Sequence, residues 1–232
     1  SSSGSRSAAV ISSEEAPLDQ SGCQNCGMPA DVTKRPDYDE EARKLFAALN
    51  LPVSGAASSE SSRLHGYNNL DAVWKHPTTG AQVFIGNQTA SVQRDILRQN
   101  GITHVVNCTS DMGNAFQGKD GSIAYFRFDL YKFFSALDLR SHRGVYEFFV
   151  PVFQWIDEAV ESGHSVLIHC LAGAHRAGTT GVAYVMHAAN MDHRTAILAC
   201  KACRPAVDPI GDLTTLLSQL HAARQAREAA KQ

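Results

Sequence analysis

From about residue 74 onward, short β-branched apolar runs alternate with stretches that carry an apolar residue at every third or fourth position. That is the pattern of strands interleaved with amphipathic helices. Val83, Phe84 and Ile85, closed by Gly86, read as one strand, and 104–108 as a buried second. Alternation over 123–130 predicts a third strand, and Val166 to His169 a fourth, buried one. A helix is expected over 91–99, capped by Thr89 or Ser91 and ended by Gly101. A longer one over 145–162 places Val145, Phe148, Phe149, Val152, Ile156 and Val160 on one stripe and stops at Gly163. Helices over 176–189, 194–203 and 212–230 complete the series. Such alternation predicts an α/β domain: a central, mainly parallel twisted sheet flanked by helices.

Residues 1–65 differ in texture, being rich in Ser, Gly, Ala, Pro and charge, with one helical candidate over 39–49 between Pro36 and Pro52. They are expected to form a flexible N-terminal arm, open to an unidentified partner, ahead of a catalytic domain over 66–232. The Ser-rich start suggests the remnant of a targeting peptide, but Glu14, Glu15 and Asp19 argue against it, because transit peptides are poor in acids. Lys plus Arg number 21 against 23 Asp plus Glu, so binding to nucleic acid or a membrane surface through bulk charge is not expected. No apolar run approaches the roughly 20 residues that span a bilayer. Six Cys among 232 residues are too few for a disulfide scaffold, which favours a reducing, cytoplasmic setting and makes each thiol a question of reactivity.

The chemistry concentrates in His169-Cys170-Leu171-Ala172-Gly173-Ala174-His175-Arg176, where a strand ends and a helix begins, the place at which open α/β sheets put their ligands. Five small or flexible residues between Cys170 and Arg176 let the backbone curl so that amides from Leu171 to Arg176 point inward. The following helix adds its positive end, and a tetrahedral oxyanion fits the cradle. Cys170 on its floor is expected to be a nucleophilic thiolate. Arg176 supplies a forked donor pair that Lys cannot reproduce.

His169-Cys170-x5-Arg176 resembles the signature of the cysteine-dependent protein tyrosine phosphatase superfamily, most closely its dual-specificity branch. Val83-Phe84-Ile85-Gly86-Asn87, the run from Asn100 to Asn107, and Arg204-Pro205 resemble three further stretches of that branch in the same order. The resemblance implies attack of Cys170 on phosphorus of a phosphorylated protein, then hydrolysis of the phosphocysteine, with no metal and no organic cofactor. It also implies a carboxylic acid about thirty residues before the Cys. Asp138 has that separation and Asp129 lies nearer the preceding strand, while alignment on the strand puts Lys132 there.

The branch usually carries a hydroxyl residue directly after the Arg, where this chain has Ala177, so slow breakdown of the phosphoenzyme is expected. Cys108 is a candidate redox partner of Cys170, set against an inert core thiol. His169 is expected to support the loop. A four-thiolate zinc set from Cys23, Cys26, Cys200 and Cys203 is a weaker reading. A phosphate-binding protein with little turnover, and a phosphatase for carbohydrate, lipid or RNA, are the alternative functions.

Overall fold

The computed structural model describes residues 36–49, 51, 67–119, 121–134 and 142–231. Helix α1 (Tyr38–Ala48) precedes strands β1 (Leu70–Lys75) and β2 (Gln82–Gly86), and two short helices follow, α2 (Gln88–Val92) and α3 (Arg94–Gln99). Next come β3 (Ile102–Asn107), β4 (Ala124–Arg127) and a 3-10 turn at Leu130–Phe134. Helix α4 (His142–Glu161), strand β5 (Ser165–His169) and helices α5 (Arg176–Ala188), α6 (His193–Cys203) and α7 (Asp212–Ala229) complete the order.

The strands form one sheet in the order β1-β2-β5-β3-β4. β2, β5, β3 and β4 pair in parallel, and β1 pairs antiparallel on β2. The mainly parallel α/β sheet expected from the sequence is therefore present. Strand side chains alternate between two faces. Val83, Ile85, Val106, Val166 and Ile168 enter the larger core with α4, α5 and α7, including Phe149, Ile156, Leu216 and Leu220. Phe84, Val105 and Leu167 enter the smaller core on the other face, with Ala90 of α2 and Leu97 of α3. Each fully buried large side chain contributes about 1.5–3 kcal/mol relative to exposure. Burial on both faces explains the apolar run Val166, Leu167, Ile168 at the centre of β5. Gly181 lets α5 lie close on β2, since a Cβ there would stand 2.4 Å from Ile85 Cδ1.

Local structure departs from the sequence expectation in three places. β1 has no counterpart in that expectation: as an edge strand of half-buried residues it lacks a strong apolar run. The helix expected over 91–99 is two helices, broken at Gln93 in extended conformation. The first is capped by Asn87, whose side chain accepts from the Ala90 amide, rather than by Thr89 or Ser91. Finally, helix α1 lies within the same compact unit as the sheet. The reason is that its Tyr38, Ala42 and Phe46 are buried. Its amphipathic face finds a partner surface more than a hundred residues away in sequence, so α1 belongs to the folded unit and not to a free arm.

Candidate active site

β5 is the central strand, and the loop after it, 170–175, emerges between β2 and β3 at the carboxyl end of the sheet. The loop is held from outside through its carbonyls. Leu171 O accepts from the Gln88 amide at 3.0 Å and Ala174 O from the Asp208 amide at 3.0 Å. Ala172 O accepts from the Tyr67 hydroxyl at 2.8 Å and from Arg204 Nη2 at 3.1 Å. Gly173 O accepts from Arg204 Nε at 2.9 Å, and His175 O from the amide and hydroxyl of Thr179. No peptide among the described residues is cis, and a trans peptide sets its N–H opposite its C=O. Carbonyls tied outward from Leu171 to His175 therefore turn the amides of Ala172 to Arg176 inward, where the helix α5 N-terminus adds its dipole.

Gly173 makes the curl possible. It has φ +64°, and a Cβ there would lie 2.4 Å from Gly86 O. Arg204, 1% exposed, is the main support from beneath. Besides the two loop carbonyls it donates from Nη1 to Asn68 O at 3.0 Å and to the Asp71 carboxylate at 2.6 Å. Tyr67 in turn accepts from Asn87 Nδ2 at 3.2 Å. The late Arg-Pro pair was legible in the sequence as a resemblance, but its clamp on Ala172 and Gly173 was not.

Cys170 and Arg176 are both buried, at 2% and 1% exposure. Burial works against the Arg176 charge, but Cys170 and Asp39 more than offset it and hold its pKa above the ordinary value. Its Nη2 donates to the Asp39 carboxylate, while its buried Nε has no hydrogen-bond partner. The guanidinium also lies 5.7 Å from the Tyr131 ring centroid. His169 is buried, its Nδ1 has no hydrogen-bond partner, and burial holds its pKa at about 4. The ring is therefore neutral near pH 7. His175 Nδ1 lies 2.6 Å from Asp208 O, to which it donates, and its buried Nε2 has no partner.

Of the expected acids, Asp138 lies outside the described residues. Asp129 is half-buried in the turn after β4, where its carboxylate accepts from the Tyr131 amide at 3.0 Å. Lys132 is exposed. Thr179 donates its hydroxyl to His175 O, and Thr180 donates to Arg176 O at 3.0 Å. Neither spare hydroxyl is thus available to do what a residue at buried Ala177 would do. Cys108 is buried, with its thiol 3.4 Å from the Thr180 hydroxyl, and burial raises its pKa. A thiol so held is a weak attacking nucleophile, as an inert core Cys would be. Cys200 is buried and Cys203 exposed; Cys23 and Cys26 fall outside the described residues, among which no cluster of three metal-ligating side chains occurs.

What the sequence did not indicate is the contribution of α1. Its Ala42 and Phe46 pack with Leu171, Ala172, Ala174 and Tyr67, and its first turn delivers Asp39 to Arg176. The apolar residues of the loop thus face a helix. The amphipathic spacing of α1 was visible, but nothing in it names the surface it covers.

Comparison with known proteins agrees with this geometry. The family model described as the dual specificity phosphatase catalytic domain matches residues 83–223. A Drosophila melanogaster relative, dual specificity protein phosphatase Mpk3, is 33% identical over 127 residues, covering 55% of this chain and 29% of its own length. Mouse dual specificity protein phosphatase 19 is 28% identical over 127 residues, covering 55% of this chain and 53% of its own. The chain thus spans about half or less of these relatives. Among solved structures, a mouse putative dual specificity phosphatase complexed with zinc tungstate superposes with a TM-score of 0.53 at 24% identity, covering 69% of this chain and 91% of that one. Human DUSP28 gives 0.51 at 23% identity, covering 68% and 95%; both show the shared fold. A cradle closed by Cys170 and Arg176 in this fold, inside the matched segment, places the chain in the dual specificity phosphatase catalytic-domain family.

Proposed function

We propose that this domain hydrolyses phosphomonoesters of phosphorylated proteins, on tyrosine and on serine or threonine, through a phosphocysteine. The observation that carries the reading is the buried Arg176 Nε without a partner, at the rim of a loop whose carbonyls from Leu171 to His175 are engaged on its outer side. A buried donor left unpaired is costly, and a phosphoryl oxygen satisfies it.

In the first step the Cys170 thiolate attacks phosphorus, the S–P bond forms and the bond to the leaving oxygen breaks. The inward amides and Arg176 hold the equatorial oxygens as charge spreads over them. The leaving oxygen takes a proton from a carboxylic acid, for which Asp129 is the candidate among the described residues, with Asp138 the alternative by spacing. In the second step water attacks phosphorus, the S–P bond breaks and inorganic phosphate leaves. Ala177 provides no hydroxyl to assist the departing thiolate, so this step is slow relative to the first.

Steady-state assays with an aryl phosphate and matched phosphotyrosine and phosphothreonine peptides test the reading. Asp129→Asn and Asp138→Asn are compared separately. Loss of turnover on the phosphothreonine peptide by about 10²-fold or more, with a smaller loss on the aryl phosphate, identifies the acid, because an alkoxide needs the proton more than a phenoxide. Phosphopeptide binding that depends on Arg176, without turnover in any condition, would instead mark a phosphate-binding protein.

A further inference from the structure

The phosphate cradle of this protein is already in contact with an anion that belongs to the chain. Helix α1 is capped by Asp37, whose carboxylate accepts from the amides of Asp39 at 2.9 Å and Glu40 at 3.2 Å. Asp39 sits in the first turn and its carboxylate pairs with Arg176 Nη2. Two further contacts fix that turn over the loop: Tyr38 is buried with its ring 5.6 Å from Tyr131 and 6.4 Å from His175. One turn further on, Ala42 and Phe46 pack on Leu171, Ala172 and Ala174, and Phe46 meets Tyr67 edge-on at 6.3 Å. The helix therefore rests on the loop itself and carries a carboxylate to its clamp.

The edge of the guanidinium matters. Nε–H and one Nη2–H lie parallel on the same side of the planar group, the side-on fork that grips two oxygens of an oxyanion. Asp39 engages the Nη2 half of this fork, and the Nε half has no partner. A carboxylate oxygen at that position has the charge and hydrogen-bonding capacity of a phosphoryl oxygen. Because it is tethered, it competes at the high effective concentration of an intramolecular group.

We propose that Asp39 is a substrate-competing residue: the α1 carboxylate holds the Arg176 fork in the empty site, and a phosphoryl group binds by displacing it. This rests on the reading of 170–176 as a phosphoryl cradle. Affinity for phosphorylated ligands is then set by the docking of α1 as well as by the loop. A segment with no direct part in the chemistry becomes a determinant of KM.

The test uses the full chain and compares wild type with Asp39→Asn, Asp39→Ala and Glu40→Gln. Asp37 still caps α1 in all of these, and Glu40 pairs with exposed Lys44 away from the cradle, so it reports on charge alone. Inorganic phosphate binding is measured by calorimetry, and aryl phosphate hydrolysis by initial rates. Both Asp39 variants are expected to bind phosphate about three- to thirtyfold more tightly, the range for loss of one partly exposed charged competitor. KM should fall in parallel, with kcat within about twofold, and Glu40→Gln should change nothing. Unchanged or weaker phosphate binding in both Asp39 variants overturns the proposal, as does a fall in kcat at constant KM, which would make Asp39 a proton donor. Tighter phosphate binding with no hydrolysis by any protein would uphold the competition while removing the phosphatase reading. Hydrolysis by wild type with Kd and KM indifferent to Asp39 would do the reverse.

Discussion

Replacing Arg204 by Met, close in volume but without donors, should disable the cradle without touching Cys170 or Arg176. The buried guanidinium bonds Ala172 O, Gly173 O and Asn68 O and pairs with Asp71 at 2.6 Å. Its removal strands a carboxylate that is only 13% exposed. Breaking a buried pair by deleting one partner costs about 3–5 kcal/mol. For a domain of this size each kcal/mol shifts Tm by about 2–4 °C, so a drop of about 6–20 °C is expected. Ala172 O keeps Tyr67, but Gly173 O loses its Arg204 donor, and that peptide is freed to turn its Ala174 amide away from the phosphoryl oxygens. Loss of one oriented oxyanion donor costs about 10²–10³ in kcat. Thermal unfolding and aryl phosphate kinetics on Arg204→Met, Asp71→Asn and the double variant measure both effects. Asp71→Asn removes the stranded charge, so the double variant should recover part of the Tm but not of the rate. A single variant with Tm within about 2 °C of wild type and kcat within twofold would refute the argument that Arg204 holds the loop.

Other consequences are equally direct. Ala177→Ser supplies the missing hydroxyl, and since Thr179 and Thr180 are both committed to backbone carbonyls, it should shrink the pre-steady-state product burst and raise kcat; an unchanged burst contradicts the assignment. Gly173→Ala should abolish phosphate binding, because it combines φ +64° with a 2.4 Å approach to Gly86 O; phosphate calorimetry that still shows wild-type affinity contradicts it. His169 has a folded pKa of about 4 against an ordinary value of 6.5. The unfolded chain therefore binds the proton first, and stability is full above pH 6.5 and falls as pH drops toward 4. The loss is about 3 kcal/mol across that window. Denaturant unfolding of wild type and His169→Gln across pH 4–7 should show this slope in the first and lose it in the second.

The elements most legible in the sequence are those whose burial is symmetric and local. β5 carries the apolar run Val166, Leu167, Ile168 because both sheet faces cover it, and α4 shows its stripe because one face meets the core. β1 was illegible because an edge strand with half-buried residues and an antiparallel partner needs no apolar run. Gln93 splits α2 from α3 through backbone conformation, which composition does not register. Cys170 and Arg176 could be read because strand, small-residue loop and helix are contiguous. Arg204, Tyr67 and Asp39 could not, because their roles depend on chain segments brought together from more than thirty to more than a hundred residues away. The apolar loop residues Leu171, Ala172 and Ala174 look like mere absence of charge until α1 is seen packed against them.

Every step of the proposed reaction passes through a phosphoryl group on Cys170 within the cradle. Rapid acid quench of the full chain with an aryl phosphate, followed by mass spectrometry of the peptide containing Cys170, detects that species. Phosphorylation of Cys170 in wild type and Ala177→Ser, with a smaller steady-state fraction in the latter and none in Cys170→Ser, is the expected result. Turnover that persists in Cys170→Ser, or a phosphoryl group found on another residue, would overturn the phosphocysteine mechanism.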